Sequence, residues 1–176
     1  MTSERARLDL LYGRVHRPGT TTSRGRALED FVEHVFSQVP SVKLYQRNIL
    51  DEDGAQELDL VFSHYPNISM IPIPDIIVLV ECKNEGRRVS AAQVREFANK
   101  LRSRSLPVGI LISTLGLSGT KGKHAHRAIS DELHSGVALI VATTDELYKL
   151  KTNTELAELL FDRLMELKTL RGYRNI

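Results

Sequence analysis

The sequence predicts an α/β sandwich built around a mixed β-sheet. Two apolar runs, 76–80 and 108–112, are typical of strands that are covered on both faces, and a segment with helical periodicity follows each of them. Two earlier strands, 42–49 and 57–62, are separated by the turn 51–54 and are expected to form a hairpin. The first strands are therefore expected to be antiparallel within the mixed sheet.

Amphipathic helices complete this architecture. Apolar residues at helical spacing over 26–36 predict a first helix, which Pro40 ends. Ser90 is the expected N-cap of a helix that runs to about Arg104, with Gln93 completing a capping box. The remaining predicted elements are an irregular connection over 63–75, a Gly-rich loop over 115–122, a helix near 123–134, a strand over 137–142, a short helix from about 145 and a helix over 154–171.

The length of 176 residues suits one compact domain. We expect 1–24 to form an N-terminal arm that packs only in part, because mixed charges precede Pro18-Gly19. Residues 25–150 are the expected core, and 151–176 the C-terminal helix. The leucines of that helix lie on one stripe, so we expect it to pack on the core or at a dimer interface.

The composition is that of an ordinary globular protein, with 41% hydrophobic and 26% charged residues. No apolar run approaches the ~18 residues that a membrane helix requires, so we expect a cytoplasmic protein without a membrane partner. Cys82 is the single cysteine, which excludes an intramolecular disulfide framework and a zinc site made of several cysteines. The net charge of +2 is uninformative, but the cations gather in patches of the kind that nucleic-acid binding requires.

A candidate site lies where the apolar run 76–80 leads into Glu81, Cys82 and Lys83. Side chains alternate along a strand, so Glu81 and Lys83 leave on one face and Cys82 on the other. A carboxylate and an ammonium group at the end of a buried strand are unfavourable unless they are paired or bind a ligand. If the preceding strand pairs with this one, Asp59 and Glu81 meet on the polar face, and two carboxylates suit Mg²⁺.

This ordered set of residues resembles the PD-(D/E)XK nuclease superfamily, and more closely its Mrr-like restriction-endonuclease branch. The resemblance implies a restriction-endonuclease-like α/β/α sandwich with a central mixed β-sheet. It also implies Mg²⁺-dependent hydrolysis of DNA phosphodiester bonds, with Mn²⁺ able to substitute. The matching residues, spread over 25–142, are Gly25-Arg26-Ala27-Leu28-Glu29, Asp59, Glu81-Cys82-Lys83, Gln93 and Gly109-Ile110-Leu111-Ile112-Ser113-Thr114.

The resemblance also implies roles for these residues. Asp59 and Glu81 would bind the metal together with the backbone carbonyl of Cys82. Lys83 would be the catalytic lysine, which orients the attacking water and stabilises developing charge. The remaining two members of the implied catalytic set, in supporting roles, are Glu29 and Gln93.

Several alternatives stay open. Glu33 replaces Glu29 if the helix register is shifted by one turn, and Glu29 also suits a solvated helix position. The capping box explains Gln93 without catalysis. Cys82 is expected to be a small buried residue rather than a nucleophile. The chain departs from the family at Leu58, where the family name has proline, and we expect no separate DNA-recognition domain.

Two other motifs are set aside. Pro74-Asp75 spells the literal "PD", but six extended residues separate Asp75 from Glu81 by ~20 Å, too far to share one ion. The loop 116–124 has the wrong glycine spacing for a phosphate loop, so no nucleotide cofactor is expected. We expect His124 and His126 to be surface residues of a basic helix rather than metal ligands.

We expect the protein to be an endonuclease of restriction or antiviral defence with DNA as its partner. It would act as a homodimer or as a subunit of a larger complex. A Holliday-junction-resolvase-like or repair nuclease for branched DNA is an alternative, as is a non-catalytic DNA-binding subunit. RNA also remains open as the substrate. The residues expected to contact DNA are Arg102, Arg104, Ser113, Thr114, Lys121, Lys123 and Arg127.

Overall fold

The computed structural model describes residues 3–51, 54, 56–119, 123–174 and 176. All five predicted strands are present, and most helix ends lie close to their predicted positions. The elements in chain order are α1 (Ser3–Val15), α2 (Thr21–Ser37), β1 (Lys43–Leu50), β2 (Glu57–Ser63), α3 (Pro66–Ser69), β3 (Ile77–Lys83), α4 (Ala91–Arg102), β4 (Val108–Ser113), α5 (His124–His134), β5 (Ala138–Thr143), α6 (Thr144–Lys149) and α7 (Asn153–Leu170).

The strands form one mixed sheet in the order β1-β2-β3-β4-β5. β1 and β3 both run antiparallel to β2, whereas β3, β4 and β5 are parallel to one another. Parallel neighbours need a crossover, and α4 and α5 provide it. The structure therefore confirms the predicted α/β class, a mixed sheet flanked by helices.

One face of this sheet is covered by α2. Leu60 of β2 pairs with Val80 of β3, which in turn pairs with Ile110 of β4, so the three side chains share one face. Phe62 lies on this face too, because it is two residues from Leu60. The ring of Phe36 in α2 stacks on Phe62 with their centroids 5.3 Å apart. We call this surface the α2 face.

The opposite surface, here called the α4 face, carries α4 with α5 beside it. Gly109 of β4 belongs to this face because it precedes Ile110. A Cβ atom at Gly109 would meet Leu101 Cδ1 at 2.5 Å and Phe97 Cζ at 2.8 Å. The absence of a side chain there lets α4 lie close to the sheet, with Val94, Phe97 and Leu101 buried beneath it.

The N-terminal segment, expected as a partly packed arm over 1–24, contains a helix that the sequence analysis did not predict. Ser3–Val15 forms α1, which packs on α2 and buries Leu11 and Val15. The ring of Tyr12 stacks on Tyr148 with centroids 3.9 Å apart, and its hydroxyl donates to Asp145 at 2.8 Å. Apolar residues at helical spacing explain the helix, and the Pro18-Gly19 pair only separates α1 from α2.

The C-terminal helix α7 lies against the core, which is one of the two placements expected for it. Leu156, Leu160 and Leu167 are buried there. Beyond the helix, the Tyr173 hydroxyl donates to Leu139 O at 2.6 Å and accepts from Val141 N at 3.1 Å. Within the described ranges, no helix combines the length and the apolar character needed to cross a bilayer.

Candidate active site

Asp59 and Glu81 share the α4 face, because each of them adjoins one member of the Leu60–Val80 pair. The Oδ2 atom of Asp59 accepts a hydrogen bond from the backbone N–H of Cys82 at 2.7 Å. This bond ties the Asp59 carboxylate to the adjacent strand, directly beside Glu81. The structure therefore brings the two predicted metal ligands together, on the face where strand alternation places them.

Two ammonium groups hold the carboxylate of Glu81, a residue that is only 1% exposed. Lys83 Nζ lies 2.8 Å from Glu81 Oε1. Lys100 Nζ donates to both oxygens of Glu81, to Oε1 at 2.8 Å and to Oε2 at 2.9 Å. Burial of these charges is tolerable because each has an opposite partner within hydrogen-bonding distance.

The cluster of Asp59, Glu81, Lys83 and Lys100 lines a cavity of about 540 Å³ between the ends of β2 and β3 and the helix α4. Glu57 and Glu96 also line it, so its wall is mainly polar and charged. The described residues contain no group of three or more His, Cys, Asp or Glu side chains arranged to hold a metal ion. The carboxylates of Asp59 and Glu81, with the lysines beside them, are thus the chemistry that the cavity presents.

The electrostatics of the cluster favour protonation of both Asp59 and Lys83. Burial, followed by the negative charge of Glu81, raises the pKa of Asp59 from 3.8 to about 7. Burial alone would lower the pKa of Lys83, but the adjacent Glu81 and the nearby Asp59 outweigh it, so that this pKa is raised. Lys83 therefore keeps its charge at neutral pH and acts as a hydrogen-bond donor rather than as a base.

Lys100 is the member of the cluster that the sequence analysis missed. Only 5% of Lys100 is exposed. A usable signal was present, since Lys100 lies three residues after Phe97 and one before Leu101, on the apolar side of α4. A lysine on the buried stripe of a helix requires a partner, and Glu81 is that partner.

Glu29 does not join the cluster, which corrects the expectation for a supporting acid. It lies on α2, which covers the opposite face of the sheet. Its Oε2 atom accepts from Arg47 Nη2 at 2.9 Å and from Asn48 Nδ2 at 3.1 Å. Glu33, the alternative acid, contacts the same Arg47 guanidinium at 3.2 Å. Both acids therefore anchor β1 to α2.

Gln93 lies outside the cavity as well. Its Oε1 atom accepts from the backbone N–H of Ser90 at 2.9 Å, while Ser90 Oγ accepts from Gln93 N at 3.3 Å. These two bonds form the predicted capping box at the start of α4. Gln93 Nε2 donates to Glu85 Oε1 at 2.8 Å, so the side chain points to the loop after β3.

Cys82 and Asp75 are placed as the sequence predicts. The Cys82 thiol is buried, and burial raises its pKa, with the charge of Asp59 adding to the effect. It therefore remains a protonated thiol. Asp75 precedes β3, and its Oδ1 atom accepts from Ile77 N at 2.9 Å. Its side chain does not line the cavity.

The cations expected to contact DNA differ in how freely they are available. Arg102 is paired with Glu132 of α5, and Arg104 donates to Gln56 Oε1 at 2.8 Å, at the rim of the cavity. Lys123 and Arg127 at the start of α5 are exposed, although Arg127 Nε also donates to Asp131. Lys121, expected to bind DNA, lies outside the described residues.

The hydroxyl groups at the end of β4 are engaged within the protein. Ser113 is fully buried, and its Oγ atom accepts from Gly116 N at 2.9 Å and from Leu115 N at 3.2 Å. Thr114 Oγ1 donates to Asn84 Oδ1 at 3.3 Å. Ser113 therefore shapes the turn after β4 and has no surface for DNA, which corrects its assignment.

Comparison with known proteins finds a distant structural similarity. No protein-family model matches the chain, and no curated protein matches it. Among solved structures, the DNA modification-dependent restriction endonuclease AspBHI aligns with 15% sequence identity and a TM-score of 0.48. The alignment covers 94% of this chain but 41% of that protein, so the chain spans less than half of its length.

Proposed function

We propose that the protein is a Mg²⁺-dependent endonuclease that hydrolyses phosphodiester bonds of DNA. One observation carries the proposal: Asp59 and Glu81 face one cavity on adjacent strands, and Lys83 Nζ lies 2.8 Å from Glu81 Oε1. A pair of hard oxygen ligands beside a fixed cation suits phosphoryl transfer, in which negative charge accumulates on the phosphate oxygens.

The donor set fits Mg²⁺. This ion usually takes one or two protein carboxylates and completes its shell with water and phosphate oxygens. The Oδ1 atom of Asp59 accepts no hydrogen bond from any residue that the structure describes, and it is therefore available. When bound, the ion supplies Lewis-acid polarisation of the phosphoryl group and makes a water molecule more acidic.

The protein's own groups have separate tasks in this proposal. Asp59 and Glu81 hold the ion, and the Cys82 N–H fixes the orientation of Asp59 through its bond to Oδ2. Lys83 stays protonated, orients the attacking water and stabilises the charge that develops on the phosphate. Cleavage in restriction or defence, by a homodimer or within a larger complex, is our proposal for the biological setting.

The test is a cleavage assay with the purified chain. Linear, supercoiled, methylated, branched and single-stranded DNA, together with RNA, are incubated with Mg²⁺, Mn²⁺ or EDTA. We expect cleavage of at least one DNA form with either metal and none with EDTA. The matched control is Asp59→Asn, prepared in parallel, because it retains the shape of the side chain and loses a metal ligand.

Two outcomes contradict the proposal. Cleavage that persists in Asp59→Asn or in EDTA comes from a contaminant or from a different site. A wild-type protein that cuts none of these nucleic acids, although it is folded and binds the metal, is not a nuclease of this kind.

A further inference from the structure

The buried ammonium group of Lys100 is the feature of the cavity that the proposed reaction does not use. Lys100 comes from α4, and it binds both oxygens of Glu81 at 2.8 and 2.9 Å. A second acid, Glu96, lies 4.0 Å from Lys100 Nζ, but Glu96 is largely exposed and its charge is screened by water. Glu81 is therefore the main partner of Lys100.

The hydrogen bonds to Glu81 leave little of its carboxylate free. A carboxylate has two oxygens with about four lone-pair positions. Oε1 accepts from both Lys83 and Lys100, and Oε2 accepts from Lys100. One position on Oε2 remains, so an ion can bind Glu81 through a single oxygen while both lysines stay in place.

The balance of charges in the cluster also limits cation binding by the protein alone. When both Asp59 and Glu81 are ionised, their two negative charges are balanced by the two ammonium groups. The four groups of the cluster then carry no net charge, and the two further acids of the cavity, Glu57 and Glu96, are exposed and screened by water. A divalent cation that enters the cluster is repelled by Lys100 at close range. A phosphodiester backbone supplies the missing negative charge, so each of the two ligands should favour binding of the other.

We infer that Lys100 is a positioning residue that presents one Glu81 oxygen to the cation and makes tight cation binding depend on a bound polyanion. This inference rests on the proposed function, since it assumes that the cluster binds a divalent cation. The coupling is reciprocal: the factor by which the polyanion tightens cation binding equals the factor by which the cation tightens polyanion binding.

The experiment measures Mn²⁺ affinity of the full chain by electron paramagnetic resonance of the free ion. Wild type is compared with Lys100→Met, Lys100→Arg and the control Arg95→Met, which removes an exposed cation from the same helix. Each protein is titrated alone and with a phosphorothioate DNA duplex, which keeps the charge of DNA and is checked on a gel for integrity. Circular dichroism melting verifies that every variant is folded.

Removal of the positive charge should increase Mn²⁺ affinity when DNA is absent. We expect Lys100→Met to bind Mn²⁺ at least about tenfold more tightly than wild type, because a close repulsive charge is gone. The duplex should then add less affinity than it does in wild type. Lys100→Arg and Arg95→Met should both keep the weak, duplex-dependent binding of wild type.

Unchanged or weaker Mn²⁺ binding by Lys100→Met overturns the inference, because a purely structural ion pair predicts that result. If Lys100→Met does not fold, Lys100→Gln takes its place. The wild type alone provides a further test, since a duplex that leaves its Mn²⁺ affinity unchanged also overturns the inference. Failure of the proposed function is a separate result: wild type then cleaves no DNA, whatever Lys100→Met does to Mn²⁺ binding.

Discussion

Lys100 Nζ lies within 2.9 Å of both carboxylate oxygens of Glu81, although 19 residues separate the two along the chain. The contact joins the end of β3 to the last turn of α4. It depends on the close approach of α4 to β4, which the missing side chain of Gly109 permits. One ion pair thus links the packing of a helix to the chemistry of the cavity.

Substitution of Lys83 and of Glu81 should give different kinetic defects. Lys83→Met should keep DNA affinity and bind Mn²⁺ at least as tightly as wild type, because it too removes a positive charge beside Glu81. It should nevertheless lower the single-turnover cleavage rate at least ~100-fold, because this charge stabilises the transition state. Glu81→Gln should weaken Mn²⁺ binding as well. The controls are Asp75→Asn and Cys82→Ser, which should retain most activity. Wild-type cleavage by Lys83→Met removes Lys83 from the mechanism.

Gln93→Ala decides between a cap and a catalytic role. The loss of the hydrogen bond from Ser90 N–H to the Gln93 side chain should lower the free energy of unfolding by ~0.5–1.5 kcal/mol, measured by urea denaturation. The cleavage rate of the folded variant should stay within a few-fold of wild type. Arg95→Ala, on the same helix, is the control for stability. A rate that falls ~100-fold without a change in stability restores Gln93 to the catalytic set.

Asp59 should make the metal-free protein less stable as the pH rises. Its pKa is about 7 in the folded protein, above the ordinary value of 3.8. A raised pKa gives stability that is complete below the unfolded pKa and is lost as the pH rises through the folded one. The loss should therefore develop between about pH 4 and 7 and amount to at most roughly 4 kcal/mol.

Urea unfolding in EDTA at pH 5 and pH 8 measures this effect in wild type and Asp59→Asn. The other titrating groups are common to both proteins, so the difference between them isolates Asp59. We expect the stability of wild type relative to Asp59→Asn to be greater at pH 5 than at pH 8. A difference that is independent of pH contradicts the raised pKa.

Tyr173→Phe should destabilise the C-terminal part of the sheet. The Tyr173 hydroxyl bonds Leu139 O and Val141 N of β5, and the ring is fully buried. Removal of the hydroxyl leaves two buried backbone groups without this partner, so we expect a loss of ~1–3 kcal/mol in the free energy of unfolding. Tyr45→Phe on the exposed part of β1 is the control and should change stability little.

Lys123 is expected to contact a DNA phosphate at the start of α5. Lys123→Gln should weaken duplex binding and reduce the slope of log affinity against log salt by about 0.9, the value for one lost phosphate contact. Fluorescence anisotropy at several salt concentrations measures both quantities. Lys168→Gln on the exposed part of α7 should leave the slope unchanged. An unchanged slope in Lys123→Gln places this part of α5 away from DNA.

Local patterns were enough to predict most of the fold and the centre of the candidate site. Apolar runs identified β3 and β4, and a turn between two strands identified the hairpin of β1 and β2. At the N-terminus, mixed charges and the Pro18-Gly19 pair favoured an arm, although the apolar residues before them have the helical spacing of α1. The burial of Lys100 was likewise not predicted. A lysine near other cations suggests a surface position, unless its place on the apolar side of the helix is considered.

The sequence by itself determined which side chains share a face within each strand. Alternation is a local property of the extended backbone, so Glu81 and Lys83 had to lie on one side of β3 and Cys82 on the other. The pairing of Leu60 with Val80, which places Asp59 on the side of Glu81, belongs to the tertiary structure. Only the tertiary structure decided which helix covers that side. Because α4 packs there and α2 packs on the reverse, Lys100 enters the cluster, whereas Glu29 pairs with Arg47 on the other side of the sheet.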